Sequence, residues 1–210
     1  MKFQEEKLLN LAEKARKAGV ELFVLDDGWF GRRDDDTSSL GDWYADRKKL
    51  PDGIEGLSEK IRAMGLSFGL WFEPEMVNRD SRLYEAHPDW VLGSEDRPRC
   101  VGRHQLVLDF SKDEVIDYIG GLMEDIIERG HLSYIKWDMN RSVTEAWSSG
   151  RDAACQGTVM HRQILGVYRL YERLIRKFPH VLFESCASGG ARFDLSLIHI
   201  SEPTRPEPIS

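Results

Sequence analysis

The chain has 210 residues, 41% of them hydrophobic and 31% charged, with a formal net charge of −7 and a pI near 5.4. This length is enough for one domain with a sizeable core. The acidic balance argues against nucleic acid or an anionic membrane as the main partner. The longest apolar stretches have the length of strands, and the N-terminus predicts an amphipathic helix rather than a signal peptide.

Helical and strand-like periods alternate along the first third of the chain. A first predicted helix stops near Gly19, and the run "VELFVLDDGW" then predicts a buried strand that ends in acids. A second predicted helix ends at Gly65. The strand "LSFGLWFEPE" follows it and stops at Pro74.

The same alternation continues after a long loop. The short apolar run "HQLVLDFS" is a further strand candidate, and Ser111-x-x-Glu114 has the spacing of a capping box for a third helix. Next come the strand "LSYIKWD", a fourth helix followed by Pro179, and the strand "HVLFESCASGG", which runs into a Gly-rich loop.

Alternating strands and helices predict parallel β/α units. Polar and charged residues follow each strand, which is the active-site face of a (β/α)8 barrel. A doubly wound sheet would bind its ligand at the same edge, but its Gly-rich nucleotide fingerprint is missing. We therefore predict an α/β fold that is part of a (β/α)8 TIM barrel, because a whole barrel takes roughly 250 residues.

The last sixteen residues differ from the rest of the chain. The stretch "LSLIHISEPTRPEPIS" has three prolines among its last eight residues and no continuing periodicity. Its first part reads like a sequencing adaptor translated in frame. We expect residues 1–194 to be the partial catalytic barrel and residues 195–210 to be a non-native, disordered tail; a natural disordered terminus is the alternative.

Asp138 is the strongest catalytic candidate, at the end of the strand in "YIKWDMNR". A carboxylate there can act as nucleophile, general base or metal ligand. Lys136 shares its strand face and could keep Asp138 ionised. The alternative is a structural aspartate paired with Lys136 or Arg141, which would leave the neighbouring Trp137 and Asn140 unexplained.

Asp26 and Asp27 end another predicted strand and precede Gly28, which would permit a turn. Paired acids beside aromatic rings suit neutral polyols, because each carboxylate accepts hydroxyl hydrogen bonds while a ring covers the C–H surface of a sugar. An Asx-type turn with solvated acids is the alternative.

The remaining candidates carry weaker signals. Trp71 is a pocket wall or a core aromatic residue, and Glu73 and Glu75 either belong to the site or only cap their strand. Arg103 is a ligand contact or a surface residue. The Gly-rich loop could present Cys186 to a ligand. No histidine pair has metal-ligand spacing, and three widely spaced cysteines are typical of reduced thiols, so no metal or cofactor is expected.

Several long blocks together resemble the α-galactosidases of glycoside hydrolase family 36: "LFVLDDGWFGRRDDDTSSLGDW", "SFGLWFEPEMV", "QLVLDFS", "YIKWDMNR" and "ESCASGGARFD". They occur in the family's order and spacing, from Met1 to Asp194. The resemblance implies a (β/α)8 barrel and a retaining mechanism through a covalent galactosyl-enzyme. Relative to that barrel, the chain would lack the first strand and the last three β/α units.

The resemblance also implies a role for each matched residue. Asp138 matches the nucleophile, and no metal is involved. The positions that match substrate-binding residues are Asp26, Asp27, Trp71, Arg103, Lys136, Asn140, Cys186 and Gly189. The family's acid/base aspartate follows a continuation of "RFD", which this chain leaves at Leu195. We therefore expect no turnover by the chain alone.

Other functions remain open from the sequence. A metal-dependent barrel enzyme of the enolase type would also place acids and a lysine at strand ends, although tryptophans near the site argue against it. A non-catalytic carbohydrate-binding barrel and a fragment without a stable fold are further alternatives. Within the family, α-N-acetylgalactosaminidase activity or galactosyl transfer to sucrose is also possible. The expected partners are α-galactoside sugars, with no nucleic acid or membrane, for a cytoplasmic parent enzyme that forms a homo-oligomer.

Overall fold

A computed structural model describes residues 3–94 and 96–187. Within them the strands are β1 (Leu22–Leu25), β2 (Ser67–Phe72), β3 (Met76–Asn78), β4 (Gln105–Val107), β5 (Tyr134–Trp137) and β6 (Leu182–Ser185). The α-helices are α1 (Glu5–Lys17), α2 (Gly53–Ala63), α3 (Arg82–Ala86), α4 (Asp113–Arg129) and α5 (Val159–Lys177). None of these helices combines the length and apolarity needed to cross a membrane.

Four strands form one parallel sheet in the order β1-β2-β5-β6. The helices α2, α4 and α5 each lie in the connection between two strands of this sheet. The predicted α/β architecture with parallel strands is therefore confirmed. The strands of the structure are shorter than the apolar runs that predicted them, because the residues at the ends of each run belong to the connecting loops.

Burial follows the position of each strand in the sheet. β2 lies between β1 and β5, and its residues Phe68, Leu70 and Phe72 are fully buried. On β5, Ile135 and Trp137 are buried on one face. Because successive strand residues point to opposite faces, Lys136 projects on the other side.

The carboxyl ends of the parallel strands meet at one edge of the sheet, which we call the carboxyl edge. The register pairs Leu25 with Leu70, Phe72 with Trp137, and Trp137 with Ser185. The residues that immediately follow these strands are therefore neighbours: Asp26 after β1, Glu73 after β2, Asp138 after β5 and Cys186 after β6. The sequence prediction of this edge is correct.

One predicted strand lies outside the parallel sheet, and one local prediction is wrong. The run around β4 does not join the parallel sheet but pairs antiparallel with β3, because the chain turns at Pro74 and forms a second, two-stranded sheet beside the first. The capping box at Ser111 is absent: α4 begins at Asp113 without a side-chain cap. The Ser111 hydroxyl instead donates to Asp109 Oδ1 at 2.6 Å.

An aromatic cluster of Trp29, Phe30, Trp43, Trp71 and Phe72 lies next to the carboxyl edge. Each of these side chains is at most 2% exposed. Trp29 Nε1 donates to the backbone oxygen of Trp71 at 3.0 Å, and the Trp29 and Phe72 rings meet edge to face, 5.3 Å apart. The cluster fixes the orientation of Trp71 beside the edge.

We predict that Gly166→Ala destabilises the protein, because a Cβ at this position of α5 would lie 1.9 Å from the backbone oxygen of Phe110. Overpacking of this kind costs about 1–3 kcal/mol. Gly121 of α4 is the matched control, since a Cβ there has no atom within 4 Å. Gly121→Ala should stabilise the protein by about 0.5–1 kcal/mol through helix propensity. Urea unfolding followed by tryptophan fluorescence measures the free energy of unfolding of each variant. Equal changes of the same sign in the two variants would contradict the packing of Gly166 against Phe110.

Candidate functional site

Asp138 lies at the carboxyl edge, and the residue is only 8% exposed. Its Oδ2 accepts hydrogen bonds from Trp71 Nε1 at 3.1 Å and from Asn140 Nδ2 at 2.8 Å. Its Oδ1 accepts the backbone N–H of Met139 at 2.8 Å, and the side chain of Cys186 also hydrogen-bonds to this carboxyl. The structure therefore brings together four of the predicted site residues, Asp138, Trp71, Asn140 and Cys186.

These hydrogen bonds determine the charge of Asp138. Burial by itself raises the pKa of this carboxyl, but the hydrogen bonds from Cys186, Asn140 and Trp71 and from the Met139 N–H outweigh it, so the pKa of Asp138 is lowered. Asp138 therefore remains ionised at neutral pH, although water barely reaches it. A carboxylate that stays ionised can act as a nucleophile.

Lys136 forms its ion pair with Asp26 and not with Asp138, although the charges of Lys136 and Asp138 still interact. Its Nζ pairs with Asp26 Oδ2 at 2.8 Å, and the Asp26 carboxyl raises the pKa of Lys136. The alternative pairing with Arg141 is also wrong, since that guanidinium donates to the backbone oxygens of Cys100 and Gln105. Asp138 is therefore held by neutral donors, not by a salt bridge.

The Asp26–Lys136 pair lies where a ligand could reach it. The side chain of Lys136 is 28% exposed and that of Asp26 is 61% exposed. Exposed ion pairs contribute little to stability, typically about 0–1 kcal/mol. Hydroxyl groups of a ligand could therefore replace the water that surrounds the Lys136 ammonium and the Asp26 carboxylate, with little loss of protein stability.

Asp27 is held differently from Asp26. Arg33 donates from Nε to Oδ1 of Asp27 at 3.0 Å and from Nη2 to Oδ2 at 2.9 Å, in a bidentate pair. The guanidinium is 1% exposed and also donates to Asn78 Oδ1. Such a pair fixes both the position and the charge of the carboxylate. The Asx-turn alternative with two solvated acids is therefore wrong for Asp27.

The loop that carries these acids is secured by Lys49. The Lys49 ammonium, which is nearly buried, donates to the backbone oxygens of Gly28 and Arg33 at 2.9 and 2.6 Å. Gly28 has a φ of 106°, a conformation that favours glycine, so the turn predicted there is confirmed. The sequence reasoning missed both Arg33 and Lys49; the signal was a pair of basic residues flanking an acid-rich loop.

Glu73 and Glu75 are buried rather than caps at the surface, with exposures of 0% and 2%. Glu73 accepts hydrogen bonds from Gln105 Nε2 at 2.9 Å and from the backbone N–H of Asn140. Glu75 accepts Trp137 Nε1 at 2.8 Å. Burial raises the pKa of Glu73 to about 7, and the neighbouring Asp138 and Glu75 add to this.

The other predicted residues stand apart from this cluster. Arg103 is exposed in the turn before β4 with a φ of 51°, and no hydrogen bond within the described residues connects it to the carboxyl edge. Its role stays a prediction. Gly189 lies outside the described residues. A groove of about 1100 Å³ beside the start of α4 and the first half of α5 contains none of the predicted site residues.

The arrangement offers an ionised carboxylate, a lysine and two further acids beside tryptophan, which suits a polyhydroxylated ligand. Within residues 3–94 and 96–187, no group of three or more His, Cys, Asp or Glu side chains could hold a metal ion. A parallel β/α sheet with these groups at its carboxyl edge belongs to the α/β proteins that bind ligands beyond their strand ends.

Comparison with known families matches residues 1–204 to the melibiase family. The chain is 50% identical to α-galactosidase AgaA of Geobacillus stearothermophilus over 202 residues, which is 96% of this chain and 28% of AgaA. It is 47% identical to α-galactosidase Mel36A of Lactobacillus acidophilus over 193 residues, 92% of this chain and 26% of that protein. The chain therefore belongs to the melibiase family, and the resemblance drawn from its motifs is confirmed.

Solved structures agree with this assignment. The α-galactosidase of Lactobacillus brevis superposes with a TM-score of 0.92 at 54% identity, covering 96% of this chain and 27% of that one. A variant of AgaA from G. stearothermophilus in complex with raffinose superposes with a TM-score of 0.91 at 49% identity, covering 94% and 28%. The chain spans just over a quarter of the length of these relatives.

We predict that Trp71→Phe raises the pKa of Asp138, because it removes one of the donors to the carboxylate. Hydrogen bonds to charged groups are worth about 1.5–3 kcal/mol. Trp43→Phe is the matched control: Trp43 is in the same aromatic cluster, and its Nε1 has no hydrogen-bond partner among the described residues. The ¹³C chemical shift of the aspartate carboxyl carbons, followed against pH, reports the change. A rise in the control equal to that in Trp71→Phe would contradict the assignment.

Proposed function

We propose that this chain is the nucleophile-bearing part of an α-galactosidase that removes terminal α-linked galactose from oligosaccharides of the melibiose and raffinose type. The observation that carries the proposal is the nearly buried, ionised Asp138, surrounded by neutral donors at the carboxyl edge. The relatives named as α-galactosidases and the raffinose complex of an AgaA variant support the choice of substrate.

The proposed reaction is a double displacement with retention of configuration. An Asp138 oxygen attacks the anomeric carbon, forming a C–O bond as the glycosidic C–O bond breaks, and an acid/base carboxyl protonates the departing oxygen. The same carboxyl then removes a proton from water, which attacks the anomeric carbon and releases Asp138. Retaining enzymes place the two carboxyls about 5–5.5 Å apart. The family resemblance puts the acid/base beyond Asp194, outside the described residues.

The remaining predicted residues are proposed to bind the sugar. Asp26 and Asp27 accept hydrogen bonds from the 4- and 6-hydroxyls, and Lys136 donates to a ring hydroxyl. Asn140 and Trp71 hold both the nucleophile and one side of the pocket. Arg103 and the loop containing Cys186 and Gly189 complete the list of proposed contacts.

We also propose the larger context of the segment. Residues 1–194 form part of a (β/α)8 barrel, and residues 195–210 are a non-native tail; the family match runs to residue 204 and so covers part of that tail as well. The parent enzyme is proposed to be a cytoplasmic homo-oligomer. The sequence of the uninterrupted gene after Asp194 tests whether residues 195–210 are native. We propose that a native aspartate beyond that point is the acid/base.

We predict that Asp138→Asn abolishes galactosidase activity in a chimera, defined as G. stearothermophilus AgaA with its matching segment replaced by residues 1–194 of this chain. At 50% identity the exchange is conservative. Loss of the nucleophile should lower kcat for an aryl α-galactoside by roughly 10³-fold or more. Asp125→Asn, on the exposed side of α4, is the control and should leave kcat unchanged. Activity of the Asp138→Asn chimera near that of the parent would remove Asp138 as nucleophile.

We further predict that the chimera releases galactose first as the α-anomer, because two displacements at one carbon restore its configuration. Proton NMR of the anomeric region during early hydrolysis distinguishes the anomers before they equilibrate. First release of the β-anomer would exclude the double displacement. The 210-residue chain by itself should show no turnover.

A further inference from the structure

Glu73 is a buried carboxyl for which the proposed reaction has no use. It follows β2 directly, and its exposure is 0%. One oxygen accepts the backbone N–H of Asn140, and the other accepts Gln105 Nε2 at 2.9 Å. Asn140 in turn donates from its side chain to Asp138. Glu73 therefore supports, from behind, the turn that supplies the nucleophile with hydrogen bonds.

The surroundings of Glu73 favour an uncharged group. The hydrogen-bond donors to Glu73 are neutral amides: the side chain of Gln105 and the backbone and side chain of Asn140. The nearest charged groups are the carboxyls of Asp138 and Glu75, and no ion pair within the described residues includes Glu73. Arg141 donates to the backbone oxygen of Gln105, and Lys136 pairs with Asp26, so neither of these cations is directed to Glu73. A buried carboxylate without a cation, next to two others, is costly, and a buried carboxyl in this situation usually retains its proton.

The side chain of Gln105 offers an acceptor for that proton. Its Oε1 is buried and has no hydrogen-bond partner among the described residues. The oxygen and nitrogen of a side-chain amide are nearly the same size, so their assignment follows from the hydrogen bonds. Rotating this amide by half a turn places the oxygen 2.9 Å from the Glu73 carboxyl, where a protonated carboxyl donates to it. The amino group then takes the place of the unsatisfied oxygen.

We propose that Glu73 is a positioning residue that works as a neutral carboxylic acid, accepting the N–H of Asn140 and donating to the amide of Gln105, and so fixing the turn that holds Asp138. This inference rests on the proposed function, because it concerns the nucleophile assigned there. The neutral form adds no negative charge behind Asp138. Ionisation of Glu73 removes the donor to Gln105 and places a second anion beside the nucleophile.

Glu73→Gln tests the proposal, because glutamine has the shape and hydrogen-bonding capacity of the neutral acid. In the chimera at pH 5–6, Glu73→Gln should keep kcat within about two-fold of the parent, whereas Glu73→Ala should lower kcat by about 10²-fold with little change in KM, the loss expected when a reacting group is displaced by about 1 Å. A loss in Glu73→Gln as large as that in Glu73→Ala would overturn the proposal, since it would mean that the anion is required.

The pH dependence of kcat distinguishes the proposed neutral acid from a merely structural residue, which would not change that dependence. The ratio of kcat in Glu73→Gln to kcat in the parent should rise as pH increases through about 7, where Glu73 loses its proton. The ratio cancels the ionisation of the acid/base, which both enzymes share. Asp125→Asn, on the exposed side of α4, is the control, and its ratio should be flat. A flat ratio for Glu73→Gln would overturn the proposal.

Infrared spectroscopy of the 210-residue chain tests the proton without relying on activity. The difference between the parent and Glu73→Gln at pH 6 should contain the carbonyl stretch of one protonated carboxyl, which disappears as the pH is raised. Its absence at pH 6 would overturn the proposal. An active Asp138→Asn chimera would instead refute the proposed function while leaving the infrared result intact, so the two failures are distinguishable.

Discussion

The Asp138 carboxylate is almost out of reach of water, and a charge in that position requires hydrogen-bond donors fixed around it. The fold supplies them from three directions. β2 contributes the Trp71 indole, the turn after β5 contributes Asn140 and the Met139 N–H, and the segment after β6 contributes Cys186. These donors come together only because parallel strands end at one edge of a sheet. The aromatic cluster behind Trp71 then prevents its indole from turning away.

Two neighbouring acids show how the same residue type serves different purposes. Asp27 is locked by a buried arginine, and that arginine is itself oriented by Asn78. Asp26 faces solvent and shares its charge with Lys136. Asp27 is therefore held in one position, whereas Asp26 and Lys136 remain accessible to the hydroxyl groups of a ligand. Preorganised polar groups of this kind can act on a ligand without first reorganising.

The carboxyl edge could be predicted from the sequence, because the alternation of periods and the acids after each strand are both local patterns. The partners of each charged side chain could not be predicted in this way. Lys136 and Asp138 are two residues apart on one strand, yet Lys136 turns to Asp26, which is 110 positions away along the chain. The role of Gln105 likewise depends on a contact between distant segments, and nothing in its local sequence marks it.

The direction of β4 and the start of α4 could not be predicted from the sequence, for the same reason. A run of apolar residues predicts a strand, but its direction depends on the strand it meets, and here β4 meets β3 of the preceding loop. Ser111 has the spacing of a cap, but Asp109 lies two residues away and accepts the hydrogen bond from its hydroxyl. Short polar residues choose among several nearby partners, and tertiary packing decides between them.

The most direct test of the central claim is to trap the covalent intermediate. The chimera is incubated with a fluorinated α-galactosyl substrate whose glycosyl-enzyme is hydrolysed slowly, and the labelled protein is digested and sequenced by mass spectrometry. The account predicts one galactosyl adduct per chain, attached to Asp138. A label on Asp26, Asp27 or Glu73, or steady turnover of that substrate without any adduct, would contradict it.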